Sequence, residues 1–337
     1  MSSEYTEKNL GISSSEISQL WITYIANSMS NCVLSYFLET AEDPEVSSVV
    51  KYALNLSGNY MSIIKDILSK DNFPVPEGFS EEDVNLKAKK LFSDVFMLRY
   101  MKYLTELGLI NYGMSLTFCP RKDIRELFTY CIDTTSKLSN MLDDVELKKG
   151  VYVHYPHIPM PDKIEFVTKK SFLTGLLPEK RPLNSSEITN IFHDIKVVSL
   201  TRALTLGFNQ VTKSEQVKNF LSKGLDLSTS HIEALSPLLS ESDLPIPMTL
   251  EAEVLDSKEA PFSDKLIMFH IVSIMGYKTA IFGISMAVSM RSDIYATYAK
   301  IASDIGGYAK DGMDIMIKEG WLEKNPEAVD RKKLAKL

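Results

Sequence analysis

The chain has 337 residues, a net charge of −7, and a composition of 45% hydrophobic and 24% charged residues. This length predicts about two domains, each large enough to bury its own core. A mildly acidic chain without a lysine and arginine cluster argues against nucleic acid as the main partner. The three cysteines are Cys32, Cys119 and Cys131. Their odd number and wide spacing are typical of reduced thiols in a cytoplasm rather than of a disulfide framework.

The first half predicts four long helices. Ser13 and Glu16 have the S-x-x-E spacing of a capping box, which marks the start of the first helix. Pro44 lies where a proline is tolerated, in the first turn of the second helix. A proline-rich loop, Phe73-Pro74-Val75-Pro76, separates the second helix from the third. The predicted helices cover about 13–42, 44–71, 91–117 and 121–149.

Residues 151–183 separate the two halves and contain five of the 14 prolines. Their apolar residues are too numerous for a flexible linker. We therefore predict an ordered connecting arm with a short helix at about 162–174. We also expect three of its residues, Phe166, Phe172 and Leu176, to be buried against a bundle.

The second half repeats the first. A capping signal at Asn184 and Glu187 opens helices predicted at about 185–211, 214–240, 262–289 and 291–319. One offset of 170 residues relates the last two helices of each half over about sixty residues. The repeated positions in the first half are Phe92-Ser93-Asp94, Gly113, Ser115, Arg121, Asp123-Ile124, Lys148 and Gly150. In the second half they are Phe262-Ser263-Asp264, Gly283, Ser285, Arg291, Asp293-Ile294, Lys318 and Gly320. A repeat of this length indicates a duplicated domain rather than a solenoid unit.

The predicted fold class is therefore all-α, with two tandem four-helix bundles produced by an internal duplication. The predicted domains are a first bundle at 1–150, the connecting arm at 151–183 and a second bundle at 184–337. In each half a connection of 19 to 21 residues joins the second and third helices, and one long crossover at this place is the ferritin-like arrangement.

One stretch, Leu266 to Met290, is apolar enough to imitate a membrane span. Its repeat partner carries Asp94, Arg99, Lys102 and Glu106, which a spanning helix would rarely contain. We therefore predict a buried bundle helix and no membrane insertion. Residues 1–10 are polar, so we expect no signal peptide. A cytoplasmic location follows as an expectation.

The chain resembles a family of tandem-repeat proteins of spore-forming bacilli that is classed as a domain of unknown function. The resemblance covers nearly the whole chain and rests on long motifs. These are the capped Ser-Ser-Glu-Ile start, Phe73-Pro74-Val75-Pro76, Arg121-Lys122-Asp123-Ile124-Arg125-Glu126, Ala260-Pro261-Phe262-Ser263-Asp264-Lys265 and Gly320-Trp321-Leu322-Glu323. The resemblance implies a ferritin-like bundle in each half, a loose kinship with spore coat protein F and a possible spore association. It implies no reaction. Family members are expected to carry histidine where this chain has Tyr60.

A metal centre of the ferritin type is disfavoured by the sequence. Such bundles need an E-x-x-H pair on each of two helices, and no E-x-x-H occurs here. The weak candidates for metal ligands are His231 and His270, whose counterparts in the first half are Tyr60 and Tyr100. An exchange of histidine for tyrosine is more typical of a buried aromatic residue that finds a hydrogen bond. We therefore predict no metal and no cofactor.

Other polar features have structural interpretations. Asp94 and Asp264 lie in the first turns of the third and seventh helices, where a carboxylate caps free N–H groups. An acid group in a pocket is the alternative for both. Arg121 with Asp123, and Arg291 with Asp293, are expected to cap the fourth and eighth helices and to clamp the chain turn there.

Gly306-Gly307 interrupts the last long helix and indicates either close helix packing or space for an apolar ligand. Four methionines would make such a space adaptable. They are Met275, Met286, Met313 and Met316.

These observations predict a non-catalytic binding or structural protein, with a protein partner or self-association and a role in sporulation or the spore coat. Two alternatives stay open. One is a ferritin-like metal-binding protein or oxidoreductase, and the other is a carrier of a small apolar ligand.

Overall fold

A computed structural model describes residues 11–175 and 180–334. Eight long helices are α1 Ser14–Thr40, α2 Pro44–Lys70, α3 Asp94–Phe118, α4 Lys122–Lys148, α5 Ser185–Val211, α6 Glu215–Ser240, α7 Asp264–Val288 and α8 Ser292–Lys318, and a short α9 covers Arg331–Leu334. Within the first half α1 packs on α2, α3 on α4, and α2 on α4. The second half has the corresponding pairs α5 with α6, α7 with α8, and α6 with α8. The predicted all-α fold with two duplicated four-helix bundles is confirmed, whereas the ferritin-like relationship stays a prediction.

The predicted capping boxes begin α1 and α5. The backbone N–H of Glu16 donates to Ser13 Oγ at 3.3 Å, and the Glu16 carboxylate accepts from the Ser13 N–H at 2.8 Å. Glu187 and Asn184 make the same pair of bonds at the start of α5. Each glutamate also accepts the backbone N–H of the arginine that precedes the last helix of its bundle, Arg121 or Arg291, both at 3.1 Å. The caps therefore also fasten α1 to α4 and α5 to α8.

The two halves contact each other through the long connections between their second and third helices. The Ser93 N–H donates to the Glu253 carbonyl at 3.0 Å, and the Ser263 N–H donates to the Asp83 carbonyl at 3.0 Å. Ser93 and Ser263 are equivalent in the repeat, as are Asp83 and Glu253. Such reciprocal contacts are typical of a twofold interface between identical subunits. The halves of this chain are therefore related like the subunits of a dimer.

Aromatic side chains fill the contact between the halves. Tyr36 of the first half lies 5.3 Å from Phe262 of the second, and Phe92 of the first half lies 6.2 Å from Phe208 of the second, measured between ring centroids. Gly207 makes room for one of these rings, because a Cβ atom there would lie 2.6 Å from the Phe92 ring. The core is thus continuous from one bundle to the other.

Among the described residues, α7 is the one helix that is long and apolar enough to cross a membrane by length and composition. In the structure it packs on α5 and α8, and it buries Leu266, Ile271 and Phe282. The predicted bundle helix is therefore present at this place.

The connecting arm differs from the prediction. Phe166 is 86% exposed rather than buried, and Phe172 is half-buried under the Arg181 guanidinium, 4.0 Å from the ring centroid. Leu176 lies outside the described residues. A short turn of 3₁₀ helix at Lys170–Leu173 replaces the helix expected at 162–174. The predicted burial rested on the apolar composition of the arm. Composition shows which residues could be buried, but not whether another surface of the protein lies close enough to cover them.

Candidate ligand-binding cavities

Two cavities lie at equivalent places in the repeat, each between helices of different halves. The first, called here the apolar cavity, lies between α1, α7 and the segment after α8, and it extends into the first bundle. The second, called here the charged cavity, lies between α5, α3 and the segment after α4. Five lining residues of the apolar cavity have a counterpart in the repeat that lines the charged cavity. With the residue of the apolar cavity given first, these pairs are Ile22 and His193, Ile25 and Lys196, Phe269 and Arg99, Ser273 and Tyr103, and Leu322 and Tyr152. The duplication therefore produced one site twice, with different chemistry in each copy.

The apolar cavity has a volume of about 340 Å³, against about 140 Å³ for the charged cavity. Residues of the second bundle explain the difference. Lys278, which is 1% exposed, stands where the first bundle has Gly108. Tyr308 stands where the first bundle has Leu138, and it stacks on Phe220 at 4.2 Å between ring centroids. Small side chains thus leave open in the first bundle a space that larger ones occupy in the second.

Three polar atoms of residues that line the apolar cavity are buried and have no hydrogen-bond partner among the described residues. They are Trp21 Nε1, Thr23 Oγ1 and His270 Nδ1. A buried polar group without a partner costs about 1–3 kcal/mol, so such groups are rare in native proteins. Three of them belong to residues that line one cavity, which makes this cavity a candidate ligand site.

His270 lies at the contact between the halves, beside its repeat counterpart Tyr100. The Tyr100 hydroxyl is 2.9 Å from His270 Nε2. Burial lowers the pKa of His270 to about 3, so the ring is neutral at physiological pH. A neutral imidazole has one donor and one acceptor nitrogen. If Nε2 accepts the only hydroxyl proton of Tyr100, Nδ1 carries the ring proton and can donate to a ligand.

The charged cavity contains three ion pairs. Arg99 bonds Glu146 at 2.8 Å, and His193 Nε2 lies 2.7 Å from Glu106. Lys102 bonds Asp143, which lies just outside the lining, at 2.7 Å. The pairs of Arg99 and Lys102 join α3 to α4, whereas the pair of His193 joins α5 of the second half to α3 of the first.

Histidine 193 holds a charge in this cavity. Burial alone would lower the pKa of His193, but its bonds to Asp194 and Glu106 outweigh burial and raise the pKa to about 9. The Asp194 carboxylate is fully buried and also accepts from the Tyr298 hydroxyl at 2.6 Å. Hydrogen bonds and ion pairs therefore connect the charged cavity to the core of the second bundle through His193, Asp194 and Tyr298.

The two predicted metal candidates lie in different surroundings. His231 is inside the second bundle, where neither ring nitrogen has a partner among the described residues. Burial, together with the charges of Lys278 and Lys300, lowers the pKa of His231 to about 3. His270 lines the apolar cavity. Within residues 11–175 and 180–334, no group of three or more histidine, cysteine or acidic residues has a metal-binding arrangement. The absence of a metal stays a prediction.

The predicted capping carboxylates make structural contacts. Asp94 accepts the backbone N–H groups of Glu42 and Asp43 and bonds the Lys90 ammonium at 2.7 Å. Asp264 accepts the Thr212 hydroxyl at 2.5 Å. These bonds fasten the start of the third helix of each bundle to the turn between its first two.

The arginines that precede α4 and α8 make the expected clamp. Arg121 bonds Asp123 at 2.7 Å and Asp71 at 2.5 Å, and the latter bond ties the end of α2 to the start of α4. Arg291 bonds Asp293 at 2.6 Å.

The interpretation of Gly306-Gly307 was wrong. Both glycines are exposed, and a Cβ atom at either would meet nothing within 4 Å. They allow neither a close helix approach nor an internal ligand space. Met313 is likewise 42% exposed. The internal space lies instead in the other bundle, where Gly108 rather than a glycine pair opens it.

The residues of the charged cavity were missed by the sequence analysis, although a signal was present. Arg99, Lys102 and Glu106 are charged in α3, while the equivalent positions of α7 are Phe269, Val272 and Gly276. The second copy of the repeat folds without charged residues at these positions. The charges in the first copy are therefore not required by the fold.

The fold and its cavities define a duplicated all-α protein of two four-helix bundles with a cavity on each side of the contact between them. The chain belongs to the family described as "Protein of unknown function (DUF3231)", whose model matches residues 2–164 and again residues 171–334. No curated protein matches the chain. A similar solved structure is a "putative spore coat protein" from Bacillus halodurans C-125. It is 16% identical with a TM-score of 0.41, and the match covers 44% of this chain and 98% of that one.

Proposed function

We propose that this protein is a non-catalytic binding protein whose apolar cavity holds one small, neutral, largely apolar molecule with a hydrogen-bond acceptor. The observation that carries the proposal is a cavity of about 340 Å³ whose lining residues contribute three buried polar atoms without partners. Ligand sites in proteins commonly measure about 300–1,000 Å³ and are mainly apolar with a few polar groups. The cavity meets both criteria.

The lining specifies the character of the ligand. Its walls are mostly aliphatic and aromatic and include Leu34, Leu56 and Met101. Burial of apolar ligand surface against them contributes about 25 cal/mol per Å². The acid among the lining residues, Glu323, accepts the backbone N–H groups of Glu77 and Gly78. An anionic ligand would have no counter-charge there, and the one carboxylate of the lining is already bonded to two backbone N–H groups, so a neutral molecule fits best.

The polar atoms specify its functional group. Trp21 Nε1–H is a donor only, and His270 Nδ1 is a second donor when Nε2 accepts from Tyr100. Two buried donors without acceptors favour a ligand with a carbonyl, ester or ether oxygen. The Thr23 hydroxyl can donate or accept a hydrogen bond, so it can bond either an acceptor or a donor of the ligand.

The cavity has a route to solvent. Ile22 on α1 is 40% exposed, Leu322 after α8 is 39% exposed, and both line the cavity. The mouth therefore lies between α1 and the segment that follows the second bundle. A ligand can enter without unfolding either bundle.

The proposal is tested with N-phenyl-1-naphthylamine, a neutral apolar dye whose fluorescence rises on leaving water. We expect saturable binding of one dye per chain. Ala53 lines the cavity and is 6% exposed, so Ala53→Leu fills part of the space. We expect this substitution to weaken dye binding at least tenfold and to raise the melting temperature, because it fills a void.

The matched control is Ala287→Leu, the same substitution at an exposed position of α7. It should leave the dye affinity unchanged. Equal affinity of the two variants, or the absence of saturable one-to-one binding to the wild type, would contradict the proposal.

A role in the spore and a cytoplasmic location rest on the family resemblance and stay predictions. The same holds for protein partners and for self-association. The metal-dependent alternative gains no support from the placement of His231 and His270.

A further inference from the structure

One basic side chain of the charged cavity has no carboxylate bonded to it among the described residues. Its lining residues include four basic side chains. Arg99 is matched by Glu146, Lys102 by Asp143 and His193 by Glu106. The fourth is Lys196, whose ammonium forms no hydrogen bond and no ion pair within the described parts of the chain. His193 also bonds a second carboxylate, Asp194, so Lys196 is the one basic side chain of the lining without a bonded carboxylate among the described residues.

The surroundings of Lys196 make an unpaired charge costly. The ammonium lies over the Tyr155 ring, 5.0 Å from its centroid, and the side chain is half-buried. Burial, assisted by the charge of Arg99, lowers the pKa of Lys196, although the carboxylates of Glu146 and Glu106 act in the opposite direction. A buried charge without a partner is unfavourable unless a ligand or another group matches it.

A second donor without an acceptor lines the same cavity. Tyr103 is 4% exposed, and its buried hydroxyl has no hydrogen-bond partner among the described residues. A buried tyrosine hydroxyl usually finds a partner, because leaving it unmatched costs about 1–3 kcal/mol. The cavity thus combines a free cation with a free O–H donor.

Neither residue is needed by the fold. The equivalent positions on the other side of the molecule are Ile25 for Lys196 and Ser273 for Tyr103, and the same helices pack there without a charge or a phenol. The two donors are therefore a property of this cavity rather than of the duplicated architecture.

We propose that the charged cavity binds one small organic monoanion, a short carboxylate, which pairs with the Lys196 ammonium and accepts a hydrogen bond from the Tyr103 hydroxyl. The negative charge follows from the Lys196 ammonium, the one basic group of the lining without a bonded acceptor among the described residues. The size follows from the volume of about 140 Å³, less than half that of the apolar cavity at about 340 Å³. The apolar side chains of Val197 and Leu200 in the lining suit a short hydrocarbon tail.

This site is independent of the apolar cavity and of the neutral ligand proposed for it. The mouths also differ, since the charged cavity is bordered by Met248, which is 86% exposed, in the long connection of the second half. The protein would then bind two ligands of different chemistry at two equivalent places.

The test uses isothermal titration calorimetry of the full chain with butyrate and with butyramide, its neutral isostere. We expect one butyrate per chain and at least tenfold weaker binding of butyramide. Lys196→Met should weaken butyrate binding at least tenfold, and Tyr103→Phe should weaken it about fivefold. Lys196→Arg keeps the charge and should retain most of the affinity.

The control variant is Lys218→Met, an exposed lysine of α6, which should bind butyrate like the wild type. Circular dichroism confirms that each variant is folded. The comparison of butyrate with butyramide on the wild type needs no variant at all. Equal binding of acid and amide, no binding of butyrate, or equal affinity of the Lys196→Met and Lys218→Met variants would each overturn the proposal.

The two proposals fail separately. Ala53→Leu should leave butyrate binding intact, and Lys196→Met should leave dye binding intact. If either variant abolishes both, the cavities are not independent sites and the present proposal is wrong.

Discussion

His193 makes the stability of the protein depend on pH. Its pKa is raised from 6.5 to about 9 in the folded state. A group with a raised folded-state pKa stabilises the fold fully below its unfolded-state pKa, and this contribution is lost as the pH rises through the folded-state pKa. The contribution of His193 is therefore present at pH 6 and lost between about pH 6.5 and 9.

We expect wild-type protein to lose about 2 kcal/mol of unfolding free energy over this interval, which is less than the full linkage value because the side chain is 16% exposed. His193→Asn should remove this part of the pH dependence. Urea unfolding at pH 6, 7.5 and 9 measures the effect. His157→Asn, in the exposed part of the arm, is the control and should keep the wild-type slope. A His193→Asn variant with the wild-type slope would show that the ion pair does not form.

At the scale of single residues, the sequence predicted what depends on neighbours along the chain. The caps at Ser13 and Asn184 follow from residues three positions apart, and both formed as expected. The partners of Lys196 and Trp21 depend on which helices of the two halves meet, and no local spacing encodes that contact. The sequence feature that could have indicated the charged cavity was the presence of charged residues in α3 at positions that are uncharged in α7.

At the scale of helices, α3 and α4 are joined by a buried ion pair that α7 and α8 lack. Arg99 and Glu146 have side chains only 12% and 2% exposed, and burial raises the pKa of Glu146 despite the nearby charge of Arg99. The equivalent residues of the second bundle are Phe269 and Met316. Removal of one member of a buried pair typically costs about 3–5 kcal/mol, whereas replacement of both by apolar residues is often neutral.

We therefore expect Arg99→Phe to lower the unfolding free energy by about 3 kcal/mol. The double variant Arg99→Phe with Glu146→Met, which copies the second bundle, should recover most of the loss. Guanidinium chloride unfolding of the three proteins measures both steps. Additive losses in the double variant would contradict this account of the pair.

Helix bounds were predictable to within a few residues because apolar periodicity, caps and prolines are all local. Predicted bounds of 185–211 coincide with α5, Ser185–Val211. The arm was not predictable in this way, because Phe166 is as apolar as any core residue and yet is 86% exposed.

At the scale of the whole molecule, the continuous core predicts that the two bundles unfold together. Each half contains one of the two tryptophans, Trp21 in the first and Trp321 in the second. In the Trp321→Phe variant the fluorescence comes from Trp21 in the first half, and in Trp21→Phe it comes from Trp321 in the second. Far-UV circular dichroism reports both halves in either variant.

We expect the fluorescence and circular dichroism midpoints to coincide within each variant during guanidinium chloride unfolding, as two-state behaviour requires. Gly207→Val, which places a side chain where the Phe92 ring lies, should lower the midpoints seen by both tryptophans. Distinct midpoints for the two halves within one variant would show that the bundles are independent.

The pairing of Tyr100 with His270 shows what covalent fusion of the two halves makes possible. In an assembly of two separate identical chains, one gene sets both sides of the axis, so each residue on it must face a copy of itself. In this chain the two equivalent positions are encoded separately and can hold different residues. The Tyr100 hydroxyl therefore lies 2.9 Å from His270 Nε2 instead of facing a second tyrosine. Because the two halves can change independently, one of the two equivalent cavities is apolar and the other is charged. Because both halves are one polypeptide, this unequal pairing also persists at any dilution.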